Sequence, residues 1–181
     1  MYSFDPFPVM ETEHLILRRI APKDLEDLFE MRTEPGLIEF TDNVLDKTRE
    51  ETEKYMELMH QGVSEGEFII WAMEHKETGK VIGTISIWNI RWEEMTTELG
   101  YGMRSSYQKR GYMQEALRKI TDYAFDKMNL CVIEAYTEEM NIPSRRLLEK
   151  LHFKETGMED DQGINSERVY HMVVYKMERV R

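Results

Sequence analysis

A second cysteine is missing from this sequence: Cys131 stands alone among 181 residues. An internal disulfide is thereby excluded, and a cysteine-built metal cluster lacks ligands. No apolar run reaches the ~20 residues a helix needs to cross a bilayer, so no membrane partner is expected. The opening "MYSFDPFPVMETEHL" has no basic stretch ahead of an apolar one, so no secretory signal is expected and the cytoplasm is the default compartment. Basic residues are outnumbered, 24 Lys and Arg against 35 Asp and Glu, for a formal net charge of -11. A general nucleic-acid binder needs the opposite balance, and nucleic acid is set aside as a partner. An acidic molecule suits a cationic substrate such as an amine, because its field draws one in. Repeats, low-complexity tracts and long linkers are also absent. One compact domain over 1–181 is expected.

What is present alternates in type. "LILRRI" (15–20) reads as a strand, and Leu25, Leu28, Phe29 and Arg32 in the next segment keep helical spacing. A second helix is expected from about Asp46 to His60, with Tyr55, Met56 and Met59 on its apolar side. Segments 68–74 and 80–90 read as two strands joined at "HKETGK". In "TTELGYGM" (96–103), Thr97, Leu99, Tyr101 and Met103 point one way and Glu98, Gly100 and Gly102 the other. Two glycines on one face of a strand mark a weak edge, a bulge or a close approach to the backbone.

From Gly111 to about Met128 the pattern is helical, with Met113, Ala116, Leu117, Ile120 and Ala124 on one stripe. "CVIEAYT" (131–137) is a strand. "NIPSRRLLEKL" (141–151) is a short helix with Asn141 as its cap and Pro143 in its first turn. "HFKETG" and "RVYHMVVYKM" (168–177) supply the last strands, and the acidic "MEDDQG" between them (158–163) reads as a solvated loop. The order gives a mixed α+β fold around a mostly antiparallel sheet.

"SSYQKRGYMQEA" (105–116) sets Gln108, Lys109 and Arg110 just ahead of Gly111 and the long helix. A helix N-terminus carries unpaired N–H groups and about half a positive charge, and phosphates bind there. A solvated loop would look the same by composition. The loop lacks the Lys-Ser ending of a P-loop, and no Gly-x-Gly-x-x-Gly is present, so nucleotide hydrolysis and Rossmann-type binding fit poorly.

The run from "ELGYGM" through "YQKRGYMQEAL" to "IEAYTEEMNIPSRRLLEKLHFKETG" resembles the GNAT family of N-acetyltransferases, in particular the branch that acetylates ribosomal-protein N-termini. The opening "ETEHLILRRIAPKDLEDL" is similar to that branch as well. Clear similarity covers about residues 96–157; segment 35–70 follows only in outline. The resemblance implies a GNAT-like mixed, mostly antiparallel sheet flanked by helices. It implies acetyl-CoA as cosubstrate, an amine acceptor (a protein N-terminus or a small molecule), direct attack in a ternary complex and no metal. The family signature Gln/Arg-x-x-Gly-x-Gly/Ala matches at Gln108 and Gly111, with Lys109 and Met113 departing from the usual small residues.

By the same resemblance the cofactor contacts are Gly102, Met103 and Arg104 on the strand, Gln108, Lys109, Arg110, Gly111, Tyr112 and Met113 at the helix mouth, and Asn141 and Ser144 on the short helix. Glu98 is the candidate base, on the strand face that carries the glycines. Ser144 is the candidate donor to the departing thiolate. Alternatively Glu98 is a salt-bridge partner and Ser144 an ordinary first-turn serine. Tyr101, Tyr112 and Tyr136 read as packing residues, His152 and His171 as structural, and Cys131 as a buried core thiol. Trp71, Trp88 and Trp92 read as apolar fillers, with Trp88 or Trp92 able to line an acceptor pocket. Folds of this kind admit a homodimer. The competing function is a non-catalytic domain that senses acyl-CoA.

Overall fold

The computed structural model describes residues 2–179. Among them, eight strands form one sheet in the spatial order β1-β2-β3-β4-β5-β6-β8-β7. The strands are β1 (Met10–Glu11), β2 (Leu15–Arg18), β3 (Ile69–His75), β4 (Val81–Arg91), β5 (Thr96–Met103), β6 (Val132–Glu138), β7 (Lys154–Gln162) and β8 (Val169–Glu178). The helices are α1 (Leu25–Arg32), α2 (Arg49–Glu65), α3 (Tyr112–Asp126) and α4 (Ile142–Lys150). Every neighbouring pair is antiparallel except β5 with β6. The mixed α+β architecture read from the sequence is the one observed.

The two faces of the sheet are served by different helices. Met113, Ala116, Leu117, Ile120 and Ala124 of α3 are buried, and Tyr123 meets Trp71 of β3 edge to face at 5.6 Å. Trp71 shares its face with Leu17, Ile85 and Tyr101 through the strand register. A fully buried leucine such as Leu117 contributes roughly 1.5–3 kcal/mol. The opposite face, with Ile70, Thr84, Ser86, Gly100 and Gly102, lies under α1 and α2.

Several boundaries differ from the sequence reading, each for a local reason. Helix α2 begins three residues late because Thr48 caps it, accepting from the Glu51 N–H while Glu51 reaches back to Thr48. It runs on to Glu65, where Gly66 closes it at φ 71°. Segment 158–163 is not a free loop: Met158–Gln162 pairs with β8 from Val173 to Val169. All of β7 is solvent-exposed, and charges on such an edge discourage pairing with a second sheet. Cys131 is exposed, not a core thiol. It sits in the bend before β6 begins, ahead of the buried Ile133 and Ala135. Among the described residues no helix is long and apolar enough to cross a membrane.

Candidate active site

The parallel β5–β6 pairing ends early. It runs from Thr96 with Val132 to Leu99 with Ala135 and goes no further, although β5 continues to Met103 and β6 to Glu138. Beyond Leu99 the two strands separate. The backbone phase says which groups face the gap. Arg104 N–H donates to Ile82 C=O on β4 at 2.9 Å, so even-numbered residues of β5 bond toward β4. In an antiparallel ladder the alternate residues turn their N–H and C=O the other way. Those of Tyr101 and Met103 therefore face the gap, while Gly102 N–H belongs to the β4 side.

Beside the gap lies the mouth of α3. Gly111 is its N-cap at φ 86°, ψ −7°, with no side-chain cap. The first bond back to the loop is Glu115 N–H to Gly111 C=O at 3.0 Å. The N–H groups ahead of it have no intrahelical acceptor, as at any helix start. An added Cβ at Gly111 would meet nothing within 4 Å, so the mouth is open on that side. Met113 is buried in the core cluster, and its bulk points away from the mouth. Tyr112 sends its hydroxyl to His75 Nε2, 3.1 Å away.

The remaining loop residues divide. Gln108 Nε2 donates to Met103 C=O at 3.0 Å, bracing the loop on the end of β5. Lys109 and Arg110 are exposed, and Arg110 lies 5.7 Å from the Tyr107 ring centroid. Arg104 is turned elsewhere: its main-chain N–H is used by Ile82, and its guanidinium pairs with Glu30 and approaches Glu34 and Asp27 of the α1 region.

Lys109 holds φ at 62°, a left-handed conformation that costs a non-glycine residue roughly 1–2 kcal/mol. Lys109→Gly relieves it and adds freedom to the unfolded chain, so a net gain of up to about 1 kcal/mol is expected. Chemical denaturation, read as a higher midpoint at constant slope, checks this.

On the α3 face of the sheet, Tyr101 Oη meets Ser144 Oγ at 2.7 Å. Burial pushes the Tyr101 phenol up to about 12, against a smaller opposing effect of the Ser144 bond, so it stays protonated at neutral pH. Ser144 is in the first turn of α4. Its N–H donates to Asn141 Oδ1 at 3.2 Å, so Asn141 is the cap and the Ser144 hydroxyl is spared that task. Arg145 fixes α4 against β8 and the preceding loop, through Tyr175 Oη at 3.2 Å and Glu139 C=O at 3.3 Å.

The other face holds a cavity of about 390 Å³. Its floor is sheet: Thr84, Ser86, Trp88, Gly100 and Gly102, with Tyr101 at the edge of the gap. A Cβ at Gly100 would come within 2.7 Å of Ser86 Oγ, and one at Gly102 within 3.3 Å of Leu37. The two glycines thus keep this floor low. Its far wall is Met31, Leu37, Ile38, Val44, Met59 and Phe68. That wall is tied down at Asp42, which accepts from the N–H of Ile164 and Asn165 and from Ser166 Oγ. These bonds, led by Asn165, hold the Asp42 carboxyl below its ordinary pKa.

Glu98 shares the cavity face and lies opposite Trp88 on β4. It is buried and lies outside the residues that line the cavity. Its carboxylate accepts from Asn89 Nδ2 and, at 3.4 Å, from Arg91 Nη1. Trp88 lines the cavity, whereas Trp92 stacks on Tyr2 with centroids 4.6 Å apart. Sequence reasoning missed the Tyr101–Ser144 pair and most of the far wall. The alternation of Tyr101 with Gly100 and Gly102 was the available signal for the former; segment 35–48 offered none.

Comparison with known proteins adds to this geometry. The model of a family described as "Acetyltransferase (GNAT) domain" matches residues 14–154. The Bacillus subtilis (strain 168) protein named "Uncharacterized N-acetyltransferase YoaA" is 26% identical over 175 residues, covering 97% of this chain and 99% of the relative. Among solved structures, Mycobacterium smegmatis RimJ in complex with CoA-disulfide superposes with a TM-score of 0.85 at 19% identity, over 98% of this chain and 90% of that one. Spermidine N-acetyltransferase from Vibrio cholerae, in complex with CoA and spermine, gives 0.78 at 18% identity, over 91% and 95%.

Proposed function

The chain belongs to the GNAT acetyltransferase family, and from that membership we propose that it moves an acetyl group from acetyl-CoA to a primary amine by direct attack within a ternary complex. One observation carries the reading: the β5–β6 ladder stops at Leu99 and Ala135, with an open helix mouth beside the gap and a cavity on its far side.

The residues present fit the cosubstrate. The main-chain N–H groups at the start of α3 are suited to a diphosphate, with Lys109 and Arg110 adding charge. The main chain of Tyr101 and Met103 offers donors and acceptors for an extended amide arm, and Asn141, whose Oδ1 is used by the cap, keeps its Nδ2 donors for the same arm. Acetyl-CoA supplies an activated acyl group whose carbonyl gains charge during attack. Main-chain N–H groups in the gap would stabilise that charge.

Ser144 serves the leaving group. The Tyr101 and Ser144 hydroxyls lie 2.7 Å apart; with the protonated phenol as the donor of that bond, the serine's own proton is free for the departing sulfur. On the acceptor side, an alkylamine with a pKa near about 10 arrives protonated and has to lose that proton before attack. Glu98, a salt-bridge partner of Arg91 beside the cavity, is our candidate to accept it through water, with Asn89 and Arg91 fixing the carboxylate.

Tyr101→Phe is expected to lower kcat by roughly 3- to 10-fold, the worth of one lost hydrogen bond, with the KM for acetyl-CoA unchanged. Tyr101 is here a positioning residue, and a raised KM with kcat unchanged would assign it to binding instead. The function itself is tested by thiol release from acetyl-CoA across a panel of amines and peptides. Amine-dependent release is expected; tight binding with no release on any amine contradicts a transferase.

A further inference from the structure

We propose that the acceptor is a primary amine with a single positive charge carried on an apolar body, and that polycationic amines are excluded. This rests on the acetyltransferase reading and narrows it. The cavity over Gly100 and Gly102 is walled by Met31, Leu37, Ile38, Met59, Phe68 and Trp88. Of the chain's 181 residues 35 are Asp or Glu, yet none of the described residues lining this cavity is acidic. The molecule's negative charge lies elsewhere, as on the exposed strand β7.

Among the described residues the one charged side chain in the lining is a cation, Arg32. Its guanidinium lies 3.8 Å from the centroid of the Tyr55 ring. Asp46, the carboxylate beside it, is fully engaged. It accepts from Arg32 Nε at 2.6 Å, Arg32 Nη2 at 3.0 Å and Thr52 Oγ1 at 2.6 Å, and its side chain is 7% exposed. A second ammonium group entering here would leave water with no carboxylate in the lining to pair with, Glu98 beyond it being held by Asn89 and Arg91. An apolar group would gain from the same transfer. The likeness in fold to a spermidine N-acetyltransferase therefore does not bring its substrate to this cavity.

The test compares 2-phenylethylamine, leucine amide and a leucine-led tetrapeptide with spermidine and an aminoglycoside, reading CoA release. The best apolar monoamine is expected to exceed spermidine in kcat/KM by at least about 30-fold, the scale on which pockets discriminate. Leucine amide against the tetrapeptide separates a free amine from a chain N-terminus. Spermidine turned over as well as the apolar amines would overturn the proposal while leaving the transferase reading intact. No release on any amine would sink the transferase reading. Titration calorimetry then reads the cavity directly: tighter 2-phenylethylamine upholds the proposal, and equal or tighter spermidine overturns it.

Val44→Asp supplies the missing carboxylate at a wall position that is 59% exposed, where folding tolerates it. It is expected to shift the ratio of spermidine to 2-phenylethylamine turnover, or of their affinities, by about tenfold toward spermidine. An unchanged ratio contradicts the charge argument.

Discussion

Gly111→Trp is expected to weaken acetyl-CoA binding at least about 100-fold, some 2.7 kcal/mol, while the protein remains folded. Two effects separate at this position. The backbone holds φ at 86°, so any side chain costs roughly 1–2 kcal/mol and lowers Tm by about 2–4 °C per kcal/mol in a chain of this size. Gly111 is exposed and nothing lies within 4 Å of the added Cβ, so the side chain starts into open space, and the indole is expected to occupy the approach to the α3 N–H groups. Gly111→Ala carries the backbone strain without the bulk. It is expected to match the Trp variant in lost stability yet bind acetyl-CoA within a few-fold of the parent. Titration calorimetry on both variants checks this; Gly111→Trp binding with parental affinity would place the diphosphate elsewhere.

Ser144→Ala is expected to leave acetyl-CoA affinity unchanged and to lower kcat by about 100-fold, the low end of what a general acid contributes. The low end applies because a serine hydroxyl is a weak acid that acts more by hydrogen bonding to the thiolate than by full proton transfer. The helix should not suffer. Its cap is Asn141 Oδ1 receiving the residue-144 N–H, which alanine keeps, and alanine favours helix. The substitution also frees the Tyr101 hydroxyl, so adding Tyr101→Phe to Ser144→Ala should cost little more, as for two residues acting as a unit. Pre-steady-state acetyl transfer at several pH values is the measurement. Parental rates across the whole range would remove Ser144 from the chemistry.

What was legible beforehand was local. The stripe from Met113 to Ala124 and the opposed faces of 96–103 follow from side-chain periodicity, and both stand as read. Gly100 and Gly102 signalled a close approach, and they floor the cavity. The Thr48–Glu51 capping box is also written in the sequence, and it sets the start of α2 three residues after Asp46. The rest depended on partners far along the chain. The far wall is fixed through Asp42 to residues 164–166, more than 120 positions on. The Tyr101 and Ser144 hydroxyls meet across 43 positions. Arg104 looked available for a ligand, but its guanidinium finds Glu30 on a helix 74 positions earlier. The "MEDDQG" segment gave no apolar alternation because its strand is an exposed edge, held by backbone pairing with β8 and by polar contacts such as Asp160 with His171.

The central claim is that main-chain N–H groups at the start of α3, with those of Tyr101 and Met103 in the gap, grip the cosubstrate. Amide chemical shifts of the 21.7 kDa protein, followed by NMR as acetyl-CoA is added, test it most directly. The largest movements are expected at Tyr112, Met113 and Gln114, with a second group at Tyr101 and Met103. Saturating acetyl-CoA that leaves these amides in place, while moving others or none, would contradict it.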